Sequence, residues 1–479
     1  MLDISSPGLP LSCTCQISSW HRHDDYIQMK AGIANRNISW EPDTRQEVKS
    51  LVAGGSTLLP SLSPSFPSPM SSTSLRLPKN PLTHSRAFWA MAAIAVTFPA
   101  ISAVPSPLYS LYQDMWGFSD AVLTEVFAIY VVALLFSLLV FGGLSDHVGR
   151  RPVLLGAIFF EALSLLFFLV AGGVATLALA RVVQGLATGV ALATLSAVIV
   201  DLRPAHAPKR SGVVNGVAPL AGLALGALGC GLLVQFAPWP TSLIFVILLV
   251  ALAFAAFAVW KAPETSALRA GARRSLIPKV GLPAHLRSDF MTLLPIMVAG
   301  WSLGGLYLSL GPSIASSFID KDPYLTGAIV VTALCGTGAF VVYLLRQREP
   351  RSVIRFAAAW LCVGITLSLI GLQFDLGHLA LVGTVVSGVG FGASALGSLG
   401  ALVDLPHPDE RGELFAFAYV VSYVAFSVPA VIGGFASDRI GLHDTALAYG
   451  AVTLVVSIIA LFVASNRHPR QDSNLRHPA

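Results

Sequence analysis

Charged residues are scarce in this sequence. Only 11% of its 479 residues are Asp, Glu, Lys or Arg, whereas 54% are hydrophobic. A soluble domain carries about 25% charged residues, because its surface has to remain polar in water. The scarcity therefore excludes an ordinary soluble globular protein, and the mean hydropathy of +0.72 favours a chain that faces lipid.

Cysteine is also scarce, with five residues in the whole chain. Cys230, Cys335 and Cys362 lie in apolar runs and are interpreted as small core residues. Cys13 and Cys15 are not followed by Cys or His at metal-ligand spacing. The sequence also lacks the G-x-x-x-x-G-K-[ST] phosphate loop and a nucleophile–base set. We therefore predict no metal, no cofactor and no enzymatic activity.

The two ends of the chain lack sustained apolar runs. Residues 1–85 are rich in Ser and Pro and have no regular period, which predicts disorder. A mis-assigned start codon is the alternative, with Met70 as the true start. Residues 466–479 form a short polar tail, and both ends are excluded from the predicted fold.

Between these ends lie twelve apolar runs of about 20 residues, the length that crosses a bilayer as a helix. Helix is required because backbone polar groups in lipid must be paired within the segment. The sequence thus predicts an all-α integral membrane protein. The predicted spans are 87–111, 121–144, 153–175, 177–200, 212–236, 241–260, 291–314, 325–345, 354–374, 379–402, 414–436 and 444–465.

The basic residues predict the orientation. Lys and Arg concentrate in the even-numbered loops, from Arg150 to Arg411, whereas the odd-numbered loops hold Lys321 and Arg439. Because Lys and Arg favour the cytoplasmic side, both termini and the even-numbered loops are predicted to be cytoplasmic. The excess of basic residues is therefore explained by the membrane topology, and no nucleic-acid partner is predicted.

The chain contains an internal repeat. Shifting it by 203 positions places the fourth span on the tenth, which predicts a six-helix half at 86–260, a cytoplasmic linker at 261–290 and a second six-helix half at 291–465. The matched pairs are Gly185 with Gly388, Gly189 with Gly392, and Asp201 with Asp404.

The loop after the second span reads GGLSDHVGRRP over 142–152. This resembles the loop 2–3 signature of the major facilitator superfamily, G-x-L-x-D-r-x-G-r-r/k. The resemblance implies a twelve-helix secondary transporter with a conformational switch in this loop. The candidate switch residues are Gly142, Asp146, Gly149, Arg150 and Arg151.

Asp146 is expected to act as a latch. A carboxylate at a helix end can bind another helix terminus or a basic side chain. We expect its partner near the start of span 11, around Arg411 to Leu414. The alternative is that Arg150 and Arg151 fix topology alone while Asp146 is a solvated cap.

The fourth span holds RVVQGLATG over 181–189, which resembles the family motif R-x-x-q-G-x-g/a. Arg181, Gln184 and Thr188 share one helix face, and Gly185 and Gly189 form a G-x-x-x-G packing pair. The family associates this arginine with proton coupling or substrate binding. The alternative is a structural arginine that binds backbone carbonyls.

Glu161 is the second candidate for proton coupling. It lies about eight residues into the third span, roughly 12 Å from its cytoplasmic end at 1.5 Å per residue. A carboxyl group at that depth favours its neutral form and could carry a coupling proton. A buried structural glutamate is the alternative.

The fifth span departs from the drug–proton antiporter pattern G-x-x-x-G-P-x-x-G-G. Gly222 and Gly226 keep the packing frame, but Ala227 replaces the proline. The first span also lacks the embedded acid of many such exporters. The superfamily resemblance therefore extends over 87–465, and the antiporter subclass remains open.

The function expected from this resemblance is proton-coupled transport of a small organic solute by alternating access, with efflux favoured over uptake. A sugar or organic-acid symporter or uniporter is the first alternative, and a non-transporting receptor on the same fold is the second. The expected partners are the substrate, protons and the lipid of a bacterial cytoplasmic membrane, with the chain acting as a monomer.

Overall fold

The computed structural model describes residues 83–204, 207, 209–317, 323–403, 405–407 and 410–466. The extension up to residue 82, the tail from residue 467, Lys321 and Asp404 lie outside this set, so the predictions for them stay predictions. The first helix begins slightly earlier than predicted. Thr83 precedes a helix that already includes His84 and Ser85, although the sequence assigns both residues to the extension.

Twelve helical segments in the described residues are long and apolar enough to cross a membrane, which confirms the predicted fold class. We number them spans 1–12 and call spans 1–6 the N-terminal half and spans 7–12 the C-terminal half. They are His84–Trp116, Asp120–Phe141, Arg150–Leu169, Val174–Asp201, Arg210–Phe236, Leu243–Lys261, Ala284–Ser309, Tyr324–Leu345, Pro350–Gln373, Gly377–Val403, Arg411–Ile440 and Leu442–Ser465.

Several spans begin earlier than their apolar runs. Span 7 starts at Ala284, inside the segment that the sequence assigns to the linker, although its apolar run starts at residue 291. A short 3₁₀ turn, Ala284–Leu286, leads directly into the helix Arg287–Ser309. The helix extends past the hydrocarbon because its hydrogen bonds can form in polar surroundings too, so hydropathy alone places the start too late.

The side of the protein opposite loop 2–3 is called the outer side. Spans 1 and 7 are both interrupted near their outer ends. Span 1 consists of His84–Ala103 and Pro105–Trp116, and span 7 is followed by the short helix Gly311–Ser316. A proline follows each interruption, because proline lacks an N–H and fits the first turn of a new helix. The common break supports the predicted repeat.

The repeat also governs helix packing. A Cβ atom at Gly185 would overlap the carbonyl oxygen of Tyr130 in span 2, and one at Gly388 would overlap that of Leu334 in span 8. The matched glycines thus bring span 4 against span 2 and span 10 against span 8 in the same way. Small residues at these positions allow the backbones to approach closely.

Gly222 and Gly226 serve the same purpose between spans 5 and 1. A Cβ at Gly222 would overlap the backbone of Val96, and one at Gly226 would overlap the backbone of Ala100. Gly189 likewise abuts the backbone of Leu134, so a Cβ at any of the four glycines predicted to pack in spans 4 and 5 would meet the backbone of another span.

The two halves meet through spans 2 and 11 and through spans 5 and 8. At the outer side, Ser106 Oγ donates to the Leu308 carbonyl at 2.7 Å, and Ser437 Oγ donates to Asp120 Oδ2 at 2.5 Å. Thr332 Oγ1 donates to the Ala224 carbonyl at 3.2 Å nearer the middle. The first two bonds join the outer ends of the halves, and the third joins the halves nearer the middle.

We expect Gly185→Ala to lower the thermal unfolding temperature of the purified protein, because the added methyl group forces spans 2 and 4 apart. The cost should be about 1–3 kcal/mol, as for other overpacked cores. Gly156→Ala is the matched control, since a Cβ there meets nothing within 4 Å. Equal unfolding temperatures for the two variants would contradict this account of the packing.

Candidate functional site

The side chain of Arg181 is completely buried in the N-terminal half. Its Nε and Nη2 atoms donate to the Tyr109 hydroxyl at 2.9 and 2.5 Å. Its Nη1 atom donates to the Ser102 carbonyl at 3.1 Å and to Gln184 Oε1 at 2.7 Å. Spans 1 and 4 thus hold the guanidinium group with neutral oxygen atoms, since none of the ion pairs among the described residues includes Arg181.

Aromatic rings surround the same guanidinium group. Its central carbon lies 5.3 Å from the ring centre of Tyr109, 5.1 Å from that of Tyr130 and 6.0 Å from that of Phe168. The negative faces of these rings attract a cation, and the attraction grows when water is excluded. The arrangement stabilises a positive charge at a depth where it would otherwise be costly.

Glu161 lies beside this cluster and is also completely buried. Thr188 Oγ1 donates to Glu161 Oε2 at 3.2 Å, whereas Glu161 Oε1 has no hydrogen-bond partner among the described residues. Gln184, which accepts from Arg181, and Thr188, which donates to Glu161, lie one helical turn apart on span 4. The structure therefore brings together the three predicted coupling residues, Arg181, Gln184 and Glu161.

The C-terminal half contributes an aromatic group from spans 7 and 11. The ring centre of Trp301 lies 5.2 Å from that of Tyr423 and 5.8 Å from that of Phe426. Phe426 in turn lies 5.2 Å from Phe127 of span 2. The Trp301 Nε1 donor has no hydrogen-bond partner among the described residues. The C-terminal side of the contact between the halves is thus aromatic and offers one free donor.

Sequence reasoning missed Tyr109, Tyr130, Trp301 and Tyr423. One signal could have found three of them. Interfacial Tyr and Trp belong at span ends, where the ring can reach water, but Tyr130, Trp301 and Tyr423 lie well inside spans 2, 7 and 11. An aromatic residue with a polar atom in mid-span predicts a partner or a ligand.

Loop 2–3 folds around Arg150. Its Nη1 atom lies 2.6 Å from Asp146 Oδ1 and donates to Ser145 Oγ at 2.5 Å, while its Nε atom lies 3.4 Å from Asp201 Oδ2. Gly149 adopts a φ of 112°, a backbone conformation that side-chain-bearing residues rarely adopt. This glycine ends the short helix Ser145–Val148 so that span 3 can begin at Arg150.

The linker between the halves covers this loop. Glu264 Oε1 accepts from the Arg150 backbone N–H at 2.8 Å, and Glu264 Oε2 accepts from that of Arg151 at 3.0 Å. The Arg269 backbone N–H donates to the Asp146 carbonyl at 3.0 Å. A carboxylate at this position compensates the free N–H groups and the positive dipole end of span 3.

In the described structure the Asp146 carboxylate pairs with Arg150. Its contact with the start of span 11 is predicted for the state in which the cytoplasmic side is closed, and it stays a prediction. The linker instead reaches both places, since the Gly281 N–H also donates to the Glu413 carbonyl at 3.4 Å. The sequence could not show this, because the linker has no periodic pattern from which its folded path follows.

We expect Glu264→Ala to speed tryptic cleavage of the linker after Arg269, Arg273 and Arg274, because the linker loses its charged attachment to span 3. Glu349→Ala is the matched control. Glu349 lies directly before span 9, but its side chain makes no capping hydrogen bond there. Cleavage of both variants at the wild-type rate would show that Glu264 does not hold the linker.

The fold and the buried cluster define an α-helical multi-pass membrane protein built from two related six-helix halves. The chain belongs to the Major Facilitator Superfamily, whose family model matches residues 87–428. Members of this family are transporters rather than enzymes.

Individual relatives are more distant. The chain is 26% identical to the multidrug resistance protein MdtL of Shewanella sp. (strain ANA-3), over 60% of this chain and 74% of that protein. It is 24% identical to the uncharacterized MFS-type transporter YdgK of Bacillus subtilis (strain 168), over 69% and 82%. A D-xylose–proton symporter structure superposes with a TM-score of 0.64 at 14% identity, covering 79% of this chain and 97% of that one. This last likeness concerns the fold.

Proposed function

We propose that this protein is a proton-coupled secondary transporter that exports a small organic solute across a bacterial cytoplasmic membrane by alternating access. The observation that carries the proposal is the buried pair of Arg181 and Glu161, which bind Gln184 and Thr188, two residues one helical turn apart on span 4. A titratable acid and a fixed cation inside adjacent spans, with no ion pair between them, form a site whose charge changes with one proton.

Coupling follows from the charges. When Glu161 is ionised, its negative charge lies near the Arg181 cation and compensates it. When Glu161 takes up a proton, Arg181 keeps its neutral partners Tyr109 and Gln184 but loses that compensation. The two protonation states thus differ in the electrostatic energy of the cluster, and such a difference can bias which side of the protein opens.

Export of a mainly apolar compound is favoured by the aromatic group of Trp301, Tyr423 and Phe426, which offers flat apolar surface between the halves. The curated relatives named multidrug resistance proteins support the same direction. The second candidate is a sugar or organic-acid symporter. The free Trp301 Nε1 donor favours it, because a hydroxyl or carboxylate oxygen would satisfy that donor.

Loop 2–3 is proposed as the conformational switch of this cycle. Asp146, Arg150 and Asp201 form a charged group at the inner side, and the side chain of Asp146 is 43% exposed. Partly exposed pairs of this kind contribute about 0.5–1 kcal/mol. They are therefore weak enough to exchange partners when the halves move.

The first test concerns coupling. A ligand is first found by thermal-shift screening of a compound panel, and its flux is then measured in proteoliposomes with and without a pH gradient. Glu161→Gln should abolish gradient-driven flux while ligand binding persists, because the amide cannot release a proton. Arg181→Ala should impair both binding and flux.

The control for this test is Glu125→Gln. Glu125 also lies within a span, but its side chain is exposed on span 2, away from the cluster. Gradient-driven flux that is unchanged in Glu161→Gln would reject the assignment and make Glu161 a structural residue.

The second test concerns the switch. Asp146→Asn should reduce transport about two- to fivefold, the factor to which 0.5–1 kcal/mol corresponds, while expression and membrane insertion stay near normal, because Arg150 loses the nearer of its two charged partners. Asp438→Asn, at the exposed end of span 11, should transport normally. Transport by Asp146→Asn at the wild-type rate would rule out a switching role for this carboxylate.

A further inference from the structure

The C-terminal half contains a cavity of about 150 Å³ that the transport site does not use. It lies toward the outer side, among spans 7, 8, 9, 10 and 12, and its wall is mostly apolar. The residues that bear on its chemistry are Leu306, Tyr307, Ile314, Ile365, Thr384 and Ala446. Leu306, Tyr307, Ile365, Thr384 and Ala446 are all buried.

The internal repeat explains why this space is open. The 203-residue shift that aligns spans 4 and 10 places Arg181 on Thr384. In the N-terminal half, the long Arg181 side chain and its aromatic neighbours occupy the interior. In the C-terminal half, the short Thr384 side chain stands at that position, and the interior beside it is left open. The cavity is therefore the counterpart of the Arg181 cluster rather than a packing accident.

One end of the cavity is polar. The Tyr307 hydroxyl lies 3.0 Å from Thr384 Oγ1 and 3.4 Å from Ser368 Oγ. Thr384 uses its single hydroxyl hydrogen to donate to the Ala380 carbonyl at 3.0 Å. Tyr307 must therefore donate to Thr384, and Ser368 can donate to Tyr307. One lone pair of the Tyr307 oxygen then remains free to accept a hydrogen bond.

Size and polarity together define the ligand. A space of about 150 Å³ is large enough for a single aromatic ring such as benzene. A water molecule needs two to four polar partners, which this wall does not offer around its apolar part. We propose that the cavity binds a small aromatic molecule with one hydroxyl group, whose ring fills the apolar part and whose hydroxyl donates to Tyr307.

The proposal is independent of the transport activity and is tested by direct binding. The probe is 4-fluorophenol, observed by fluorine NMR with the purified full-length protein in lipid nanodiscs. Bound probe is defined as the signal that excess unlabelled phenol displaces, with empty nanodiscs as the blank. Wild-type protein should show saturable, displaceable binding beyond that blank.

Two variants locate the site. Ala446→Leu should abolish displaceable binding, because the larger side chain occupies the cavity. Ala448→Leu is its control on the same helix, since Ala448 is exposed, and it should bind like wild type. Tyr307→Phe should weaken 4-fluorophenol binding about fivefold through loss of one hydrogen bond, while fluorobenzene binding stays unchanged.

Three outcomes would overturn the proposal. The first is the absence of displaceable binding in wild type, and the second is wild-type binding by Ala446→Leu with unfolding temperature unchanged. The third is displaceable binding that appears only after lipid is stripped from the protein, which would show that an acyl chain occupies the cavity. Equal loss of fluorobenzene and 4-fluorophenol binding in Tyr307→Phe would reject the hydrogen bond to Tyr307.

Discussion

A fully buried guanidinium group constrains the N-terminal half of this protein. Removing Arg181 from water costs several kcal/mol unless its donors and its charge are compensated. The carbonyl of Ser102, the hydroxyl of Tyr109 and the amide of Gln184 supply the hydrogen bonds, and three rings stabilise the charge. These partners come from spans 1, 2, 3 and 4, so the requirements of one side chain fix how four helices pack.

The same backbone arrangement carries different chemistry in the second half. The glycine contacts of span 4 with span 2 are repeated between span 10 and span 8. The buried charge is not repeated, because Thr384 stands where the repeat places Arg181. One half thus holds a buried charged cluster, while the other holds an aromatic group and an apolar cavity. The two halves thus share a packing surface and differ in the side chains that fill their interiors.

The ion pairs of Arg150 at the inner side are weak although their groups are fully charged. Arg150 contacts two carboxylates, yet all three side chains remain partly exposed. Water and dissolved ions screen such pairs, so each of them contributes little to stability. The linker adds Glu264 to the same region through backbone N–H groups, which ties the connection between the halves to the start of span 3. Loop 2–3 is therefore attached to the linker by hydrogen bonds as well as to the adjoining helices through the chain.

The sequence by itself determined the number and order of the spans and the internal repeat, because hydropathy and glycine spacing are local properties that the bilayer enforces on each helix separately. It also pointed to Arg181, Gln184 and Glu161, since polar groups within apolar runs stand out. The tertiary structure alone decided what surrounds them. The contacts of Tyr109 and Tyr130 with Arg181, the pairing of Asp146 with Arg150 and the open space beside Thr384 depend on how separate helices and the linker meet. Such contacts join residues far apart in the chain, and no local pattern encodes their geometry.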